Sequence, residues 1–331
     1  MLSIPTLLRL SAIVGLIPSV AAAALSVNAQ KVEDRAITPL TCLFFGDIVS
    51  PWWLNRCKQH LDMVVIDLRS AAEYAVSHIP GSISAPFEPI SAWSQMGPGD
   101  LLLELPEYND LAAFLGSIGV SNSPSATKIV LVNGVDPTSF SQAASPRVAT
   151  TLRFAGLAEG RVAILDGGFP AWTRESLPVT TDVPVPVPRT FVSAPDRSFL
   201  VDINYVASKL HKNKQGIFIL DGRDPDVYNG TRLEEWALKP GHIPSAKNLP
   251  TANIWNPDGS FKSTFELLAL LRQQIGYGAS RSYGEIIVSC GVGGFGSGLL
   301  FTLTRVLGFG DNVKFYDGSA QEWSRHFDME I

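Results

Sequence analysis

Glu285-Ile-Ile-Val-Ser-Cys290-Gly-Val-Gly-Gly-Phe-Gly-Ser297 is the stretch that decides how this chain reads. Its β-branched run over 286–289 is a buried-strand candidate. The run stops at a cysteine, turns through glycines and continues into an apolar segment, so 297–307 reads as a helix. Gly291, Gly293, Gly294 and Gly296 are more glycines than a plain strand-to-helix turn needs. They let the backbone approach a ligand closely and aim its N–H groups at one point. A thiol placed there meets those donors and the positive end of a helix, which favours the anion. The expectation is therefore a reactive Cys290 with a depressed pKa. The loop Gly291, Val292, Gly293, Gly294, Phe295 and Gly296 would hold its anionic partner. A half-buried structural cysteine is the plainer alternative, and the glycines weigh against it.

The pattern occurs twice. Lys128-Ile-Val-Leu-Val-Asn133-Gly134 aligns with the strand and turn at Cys290, and Val64-Val-Ile-Asp67-Leu-Arg69 is echoed by Phe218-Ile-Leu-Asp221-Gly-Arg223. Ser77-His78-Ile-Pro matches Gly241-His242-Ile-Pro, and Leu165-Asp166-Gly matches Tyr316-Asp317-Gly, each followed by a tryptophan, Trp172 and Trp323. Four matches in the same order make a repeat of about 150 residues, the size of a duplicated domain. Strands are expected at 64–67, 128–132, 161–165, 217–220, 286–289 and 313–316, and helices at 109–118, 146–154, 264–275 and 297–307. Strands alternating with helices define an α/β chain with two largely parallel sheets flanked by helices. Val-Pro-Val-Pro-Val-Pro within 180–189 is an extended linker. It divides a first domain, 45–179, from a linker, 180–198, and a second domain, 199–331.

Bulk properties narrow the partners. The chain has 331 residues, a formal net charge of −5 and no lysine- or arginine-rich run, which disfavours nucleic acid and anionic membranes. Residues 1–29 read as an export leader: Arg9, an apolar run and Val27-Asn28-Ala29 as the cleavage site. The apolar run is also just long enough to be an uncleaved anchor. With cleavage, the mature protein is exported, periplasmic or secreted, and has no stable membrane association. Of three cysteines, Cys42 and Cys57 could form a disulfide in an oxidising compartment, leaving Cys290 as the free thiol. No His/Cys cluster has metal-ligand spacing, so neither metal nor cofactor is expected.

These motifs resemble the rhodanese family, in particular its two-domain sulfurtransferases. Asp-x-Arg, His-Ile-Pro, Cys-Gly-x-Gly and Asp-Gly followed by tryptophan occur in that family in this order, and the resemblance covers about residues 45 to 331. It implies two rhodanese-like domains, with catalysis in the second. Asn133 stands at the cysteine position of the first, where an amide cannot carry sulfur. It further implies a Cys290 persulfide, formed from a small anionic donor such as thiosulfate or 3-mercaptopyruvate and discharged to cyanide or a thiol. Arg223 matches the family arginine facing the active loop, and Arg232 falls near a further substrate arginine of the mercaptopyruvate-type relatives; both are candidate donor-binding groups.

The loop departs from both familiar patterns. Gly291 and Val292 replace the basic residues typical of thiosulfate users, and Val292 and Phe295 replace the serine and threonine of mercaptopyruvate users. Donor preference therefore stays open. A phosphatase of this fold needs Cys-x5-Arg, and Gly296 occupies the arginine position. A non-catalytic module that binds an anion or a thiol is the remaining alternative. His78, His242, Asp67 and Asp221 are expected to organise loops rather than move protons.

Overall fold

Short runs of Val, Ile and Leu become strands here because both faces of each are covered. The computed structural model describes residues 42, 45–122, 127–135, 140–158, 160–192, 194–276 and 284–331. The expected leader, residues 1–29, lies outside them. Of the unit Met1–Phe44, Cys42 alone is described, and Phe45–Ile331 form a separate compact unit. Cys42 and Cys57 are both disulfide-bonded, and Cys290 is free.

In the first half the described strands are β1 (Ile48–Val49), β2 (Met63–Asp67), β3 (Ile83–Ser84), β4 (Gln95–Gly97), β5 (Leu101–Glu104), β6 (Lys128–Val132) and β7 (Val162–Leu165). The second half supplies β8 (Ile217–Asp221), β9 (Lys247–Asn248), β10 (Glu285–Ser289) and β11 (Val313–Phe315). The first sheet runs β1-β7-β6-β2-β3 and the second β11-β10-β8-β9, every neighbour parallel. Asp67 faces Val132 across one ladder, and Asp221 faces Ser289 across the other. Each sheet thus brings its Asp-x-Arg turn beside the loop that follows its central strand, which is where ligands of open parallel sheets bind.

Two helices depart from the expected bounds. The helix placed at 146–154 spans Phe140–Phe154, with Pro146 inside it. A proline reads as a start signal, but the buried Ala143, Ala144 and Ser145 hold the earlier turns by packing. The helix placed at 297–307 begins at Gly294, is α-helical to Phe301 and widens to a π-helix over Thr302–Val306. These two helices pack on each other and join the halves. One apolar cluster runs from Leu131, Val148 and Leu152 through to Val288, Leu299 and Phe301. The extended segment 180–192 stays on the first half: His78 pairs with Thr180, and the Arg189 N–H donates to the Gly116 carbonyl at 2.9 Å.

The antiparallel pair β4–β5 had no counterpart in the sequence reading. It carries the first half to the second, where the Leu102 N–H donates to Gln321 Oε1 at 2.8 Å and Gln321 Nε2 donates back to the Leu102 carbonyl at 2.9 Å. Beside it, the fully buried Arg147 pairs with Asp317 at 2.6 Å and donates to the Leu103 carbonyl. Burial first, and then the Asp317 charge, push the Glu104 carboxyl up to about 8 despite Arg147. A carboxyl with a raised folded-state pKa binds its proton more tightly folded than unfolded. Its stabilisation is complete below the ordinary carboxylate value and is lost as pH rises through about 8. Glu104→Gln is therefore expected to flatten the fall in urea midpoint between about pH 4.5 and 8. An unchanged midpoint profile would contradict this.

Candidate active site

Cys290 follows β10 directly and is 1% exposed. Three constraints hold its backbone. The Cys290 N–H donates to Ser319 Oγ at 3.2 Å, and the Cys290 and Gly291 carbonyls accept the N–H groups of Ala320 and Gln321 at 3.0 Å each. Those donors begin the helix Ser319–His326, and Ser319 itself takes φ 52°. The N–H groups of Gly296, Val292 and Gly293 direct hydrogen bonds at the sulfur, as the glycine spacing predicts. The expected pKa does not follow. Burial raises the Cys290 thiol above its ordinary value, and the nearby Asp221 charge adds to that against the three N–H groups. The loop stabilises an anion that the buried position as a whole disfavours.

Gly293 and Gly291 are required for different reasons. Gly293 sits at φ +85°, and a Cβ there would lie 2.6 Å from Asp317 Oδ1 and 3.0 Å from Arg147 Nη1. The buried ion pair between the halves thus buttresses the cysteine loop. At Gly291 a Cβ would come within 2.3 Å of the Trp236 ring. Trp236 belongs to a strap, residues 229–240, that crosses the loop. Leu238 N–H donates to Ser324 Oγ at 3.2 Å, and Lys239 Nζ donates to the Phe327 carbonyl at 2.9 Å, pinning the far end.

The arginines are placed differently from the expectation. Arg223 reaches the electrostatic neighbourhood of Cys290, but its fork faces Asp221: Nε donates to both carboxylate oxygens at 3.0 Å and Nη2 to Oδ2 at 2.5 Å. Nη2 also donates to the Gly241 carbonyl at 2.9 Å. The first half repeats this arrangement, with Arg69 Nη2 donating to Asp67 at 2.6 Å and to the Ser77 carbonyl at 2.9 Å. Recurrence in the half without a cysteine marks Asp-x-Arg as a loop-fixing device that leaves Nη1 without a hydrogen bond among the described residues. Arg232 is half-exposed and pairs with Asp226 at 2.7 Å, Asp224 at 3.4 Å and Glu234 at 3.7 Å. It fastens the strap. The Glu234 carboxyl is pushed up by burial, and its Oε2 is buried without a hydrogen-bond partner. His78 and His242 stack on Tyr74 and Tyr228 at 3.7 Å and hydrogen-bond their carbonyl oxygens at 2.9 Å, as loop-fixing groups do.

Sequence reasoning missed Arg147, Ser319, Glu234 and Trp236. Only Ser319 carried a signal, its place after the repeated Asp-Gly. The group of three or more His, Cys, Asp or Glu side chains that a metal site requires is absent among the described residues.

A closed thiol contradicts quick labelling at neutral pH. Alkylation of Cys290 by iodoacetamide is expected to be slow near pH 7 and to rise with pH through and beyond the ordinary thiol range. Trp236→Ala is expected to speed it by opening the strap. A rate that plateaus below pH 7 would show a depressed pKa instead.

Two parallel sheets with a cysteine-bearing glycine loop at the end of the second central strand define a tandem α/β protein. The chain belongs to the rhodanese family, whose rhodanese-like domain signature matches residues 50–175 and 203–326. It is 38% identical over 170 residues to the sulfur carrier protein TtuD of Thermus thermophilus, an alignment spanning 49% of this chain and 58% of that relative. Bovine thiosulfate sulfurtransferase is 30% identical over 253 residues, covering 76% of this chain and 78% of the relative. Among solved structures, SseA of Escherichia coli, described as a 3-mercaptopyruvate sulfotransferase, superposes with a TM-score of 0.64 at 26% identity, over 83% of this chain and 98% of that one.

Proposed function

We propose that this protein is a sulfurtransferase that carries sulfur as a persulfide on Cys290. The observation that carries the reading is the convergence of the Val292, Gly293 and Gly296 N–H groups on the sulfur. They would stabilise a thiolate and then the terminal sulfur of a persulfide, as an oxyanion hole stabilises oxygen. With thiosulfate, the Cys290 thiolate attacks the outer sulfur, the S–S bond breaks and sulfite leaves with the electron pair. With 3-mercaptopyruvate the C–S bond breaks, and pyruvate leaves as its enolate and takes up a proton. Cyanide or a thiol then attacks the outer persulfide sulfur and returns the Cys290 thiolate.

The relatives are named for both donors, and the site favours neither outright. Arg223 can offer only Nη1 to an anion, and the acidic partners of Arg232 neutralise it. Export is proposed as well. The disulfide-bonded state of Cys42 and Cys57 supports an oxidising compartment, where a leader over residues 1–29 would send the chain.

Thiocyanate release from cyanide, measured with each donor in turn, tests the reading. Turnover with one donor at least about tenfold above the other would assign the preference. Absence of turnover with both, across a pH range reaching the thiol pKa, would leave a non-catalytic binding module.

A further inference from the structure

The duplicated fold contains the loop site twice, and among the described residues its first copy is open where the second is shut. In the second half 18 positions separate Arg223 from its acceptor at Gly241, and this length supplies the strap that lays Trp236 on Gly291. In the first half the matching separation, Arg69 to Ser77, is 8 positions, so no strap can form. A Cβ on Gly134, the counterpart of Gly291, would meet only Arg69 Cγ at 3.7 Å, Glu73 Oε1 at 3.9 Å and Ser141 Cβ at 3.9 Å. The space left is a cavity of about 230 Å³ whose lining combines Arg69, Glu73 and Ser141 with Leu68, Phe87 and Phe140.

Its polar groups are opposite in charge and incompletely used. Arg69 is 8% exposed, and Asp67 and the Ser77 carbonyl take its Nε and Nη2. Its Nη1 makes no hydrogen bond among the described residues, one face of the guanidinium stacks on the Phe169 ring at 3.6 Å, and the side chain lines the cavity. Glu73 caps its own helix through Oε2, which accepts the Ser70 N–H at 3.0 Å and the Ser70 hydroxyl at 2.6 Å, leaving Oε1 without a partner there. Asp67 already balances the Arg69 charge, so Glu73 leaves the cavity net negative. A simple anion is disfavoured by that balance. A zwitterion satisfies both edges.

We propose that this vacated site binds a small α-amino acid with an apolar side chain. Its carboxylate meets Arg69 Nη1, its ammonium meets Glu73 Oε1, and its side chain lies on Leu68, Phe87 and Phe140. The volume suits a residue-sized ligand and excludes a peptide. Phe140 also packs on Phe295 of the cysteine loop with ring centroids 6.2 Å apart, so the two sites share a wall. The inference uses no step of the sulfur chemistry.

Calorimetric titration of the full chain with L-leucine tests it. 4-Methylpentanoate, which lacks the ammonium, and isopentylamine, which lacks the carboxylate, are the comparison ligands. Leucine is expected to bind, and each comparison ligand to bind at least about tenfold more weakly, the scale of one hydrogen bond to a charged group. Glu73→Gln keeps a capping acceptor and is expected to weaken leucine by a similar factor. Gly134→Ala adds a methyl at ordinary contact distances and is expected to weaken it by filling space. The assignment is overturned if leucine gives no saturable heat, if 4-methylpentanoate binds as tightly, or if both variants bind leucine unchanged while remaining folded by circular dichroism.

Discussion

Replacing Cys290 by serine is expected to lower sulfur transfer by at least about 10⁴-fold with either donor. The serine oxygen would sit under the same N–H groups of Val292, Gly293 and Gly296. Those donors hold an anion but cannot supply one. A hydroxyl at that position ionises far above the working pH, and oxygen cannot take part in a persulfide. The change is small in volume and leaves the contacts of Ala320 and Gln321 to the loop carbonyls in place. Circular dichroism and thermal midpoint should therefore match the parent closely. The readout is thiocyanate release at saturating donor, and residual turnover within about tenfold of the parent would place the chemistry elsewhere.

Arg147→Met is expected to lower the unfolding free energy by about 3–5 kcal/mol, the usual result of removing one member of a buried ion pair. The guanidinium is 0% exposed and contacts Asp317 at 2.6 Å. Without it, Asp317 keeps the Leu105 N–H at 3.0 Å but stands beside the part-buried Glu104 carboxyl without a cation. The leftover charge is what destabilises. Asp317→Asn in the same chain should therefore restore part of the loss, since an amide carries no charge to bury. Urea midpoints of the single and double variants are the readout. A double variant no more stable than Arg147→Met would contradict the charge argument. Because Gly293 rests on this pair, the single variant should also lose activity at temperatures where it is still folded.

Much of the fold could be read from the chain because its signals are local. The strands at 63–67, 128–132, 217–221 and 285–289 are apolar runs with polar residues only at their ends, and repetition of the Asp-x-Arg and His-Ile-Pro turns fixed their order. Cys290 stood out through its glycines. The buttress could not be read. β4 and β5 are short, and their partners Gln321 and Asp317 lie more than 200 positions away. Arg147 looks like any helix residue until the second half closes over it. The thiol pKa could not be read because the loop shows its donors in sequence, whereas burial is a property of the folded surroundings. The carboxylate partners of the arginines could not be read for a related reason. Asp221 stands two residues before Arg223, and only the sheet register shows that it takes the fork.

Intact-mass spectrometry after incubation with thiosulfate, and separately with 3-mercaptopyruvate, tests the central claim most directly. The account predicts that the protein gains the mass of one sulfur atom, that cyanide removes it, and that Cys290→Ser gains none. An unaltered mass with both donors, at a pH where Cys290 is alkylated, would contradict the persulfide and with it the proposed sulfur transfer.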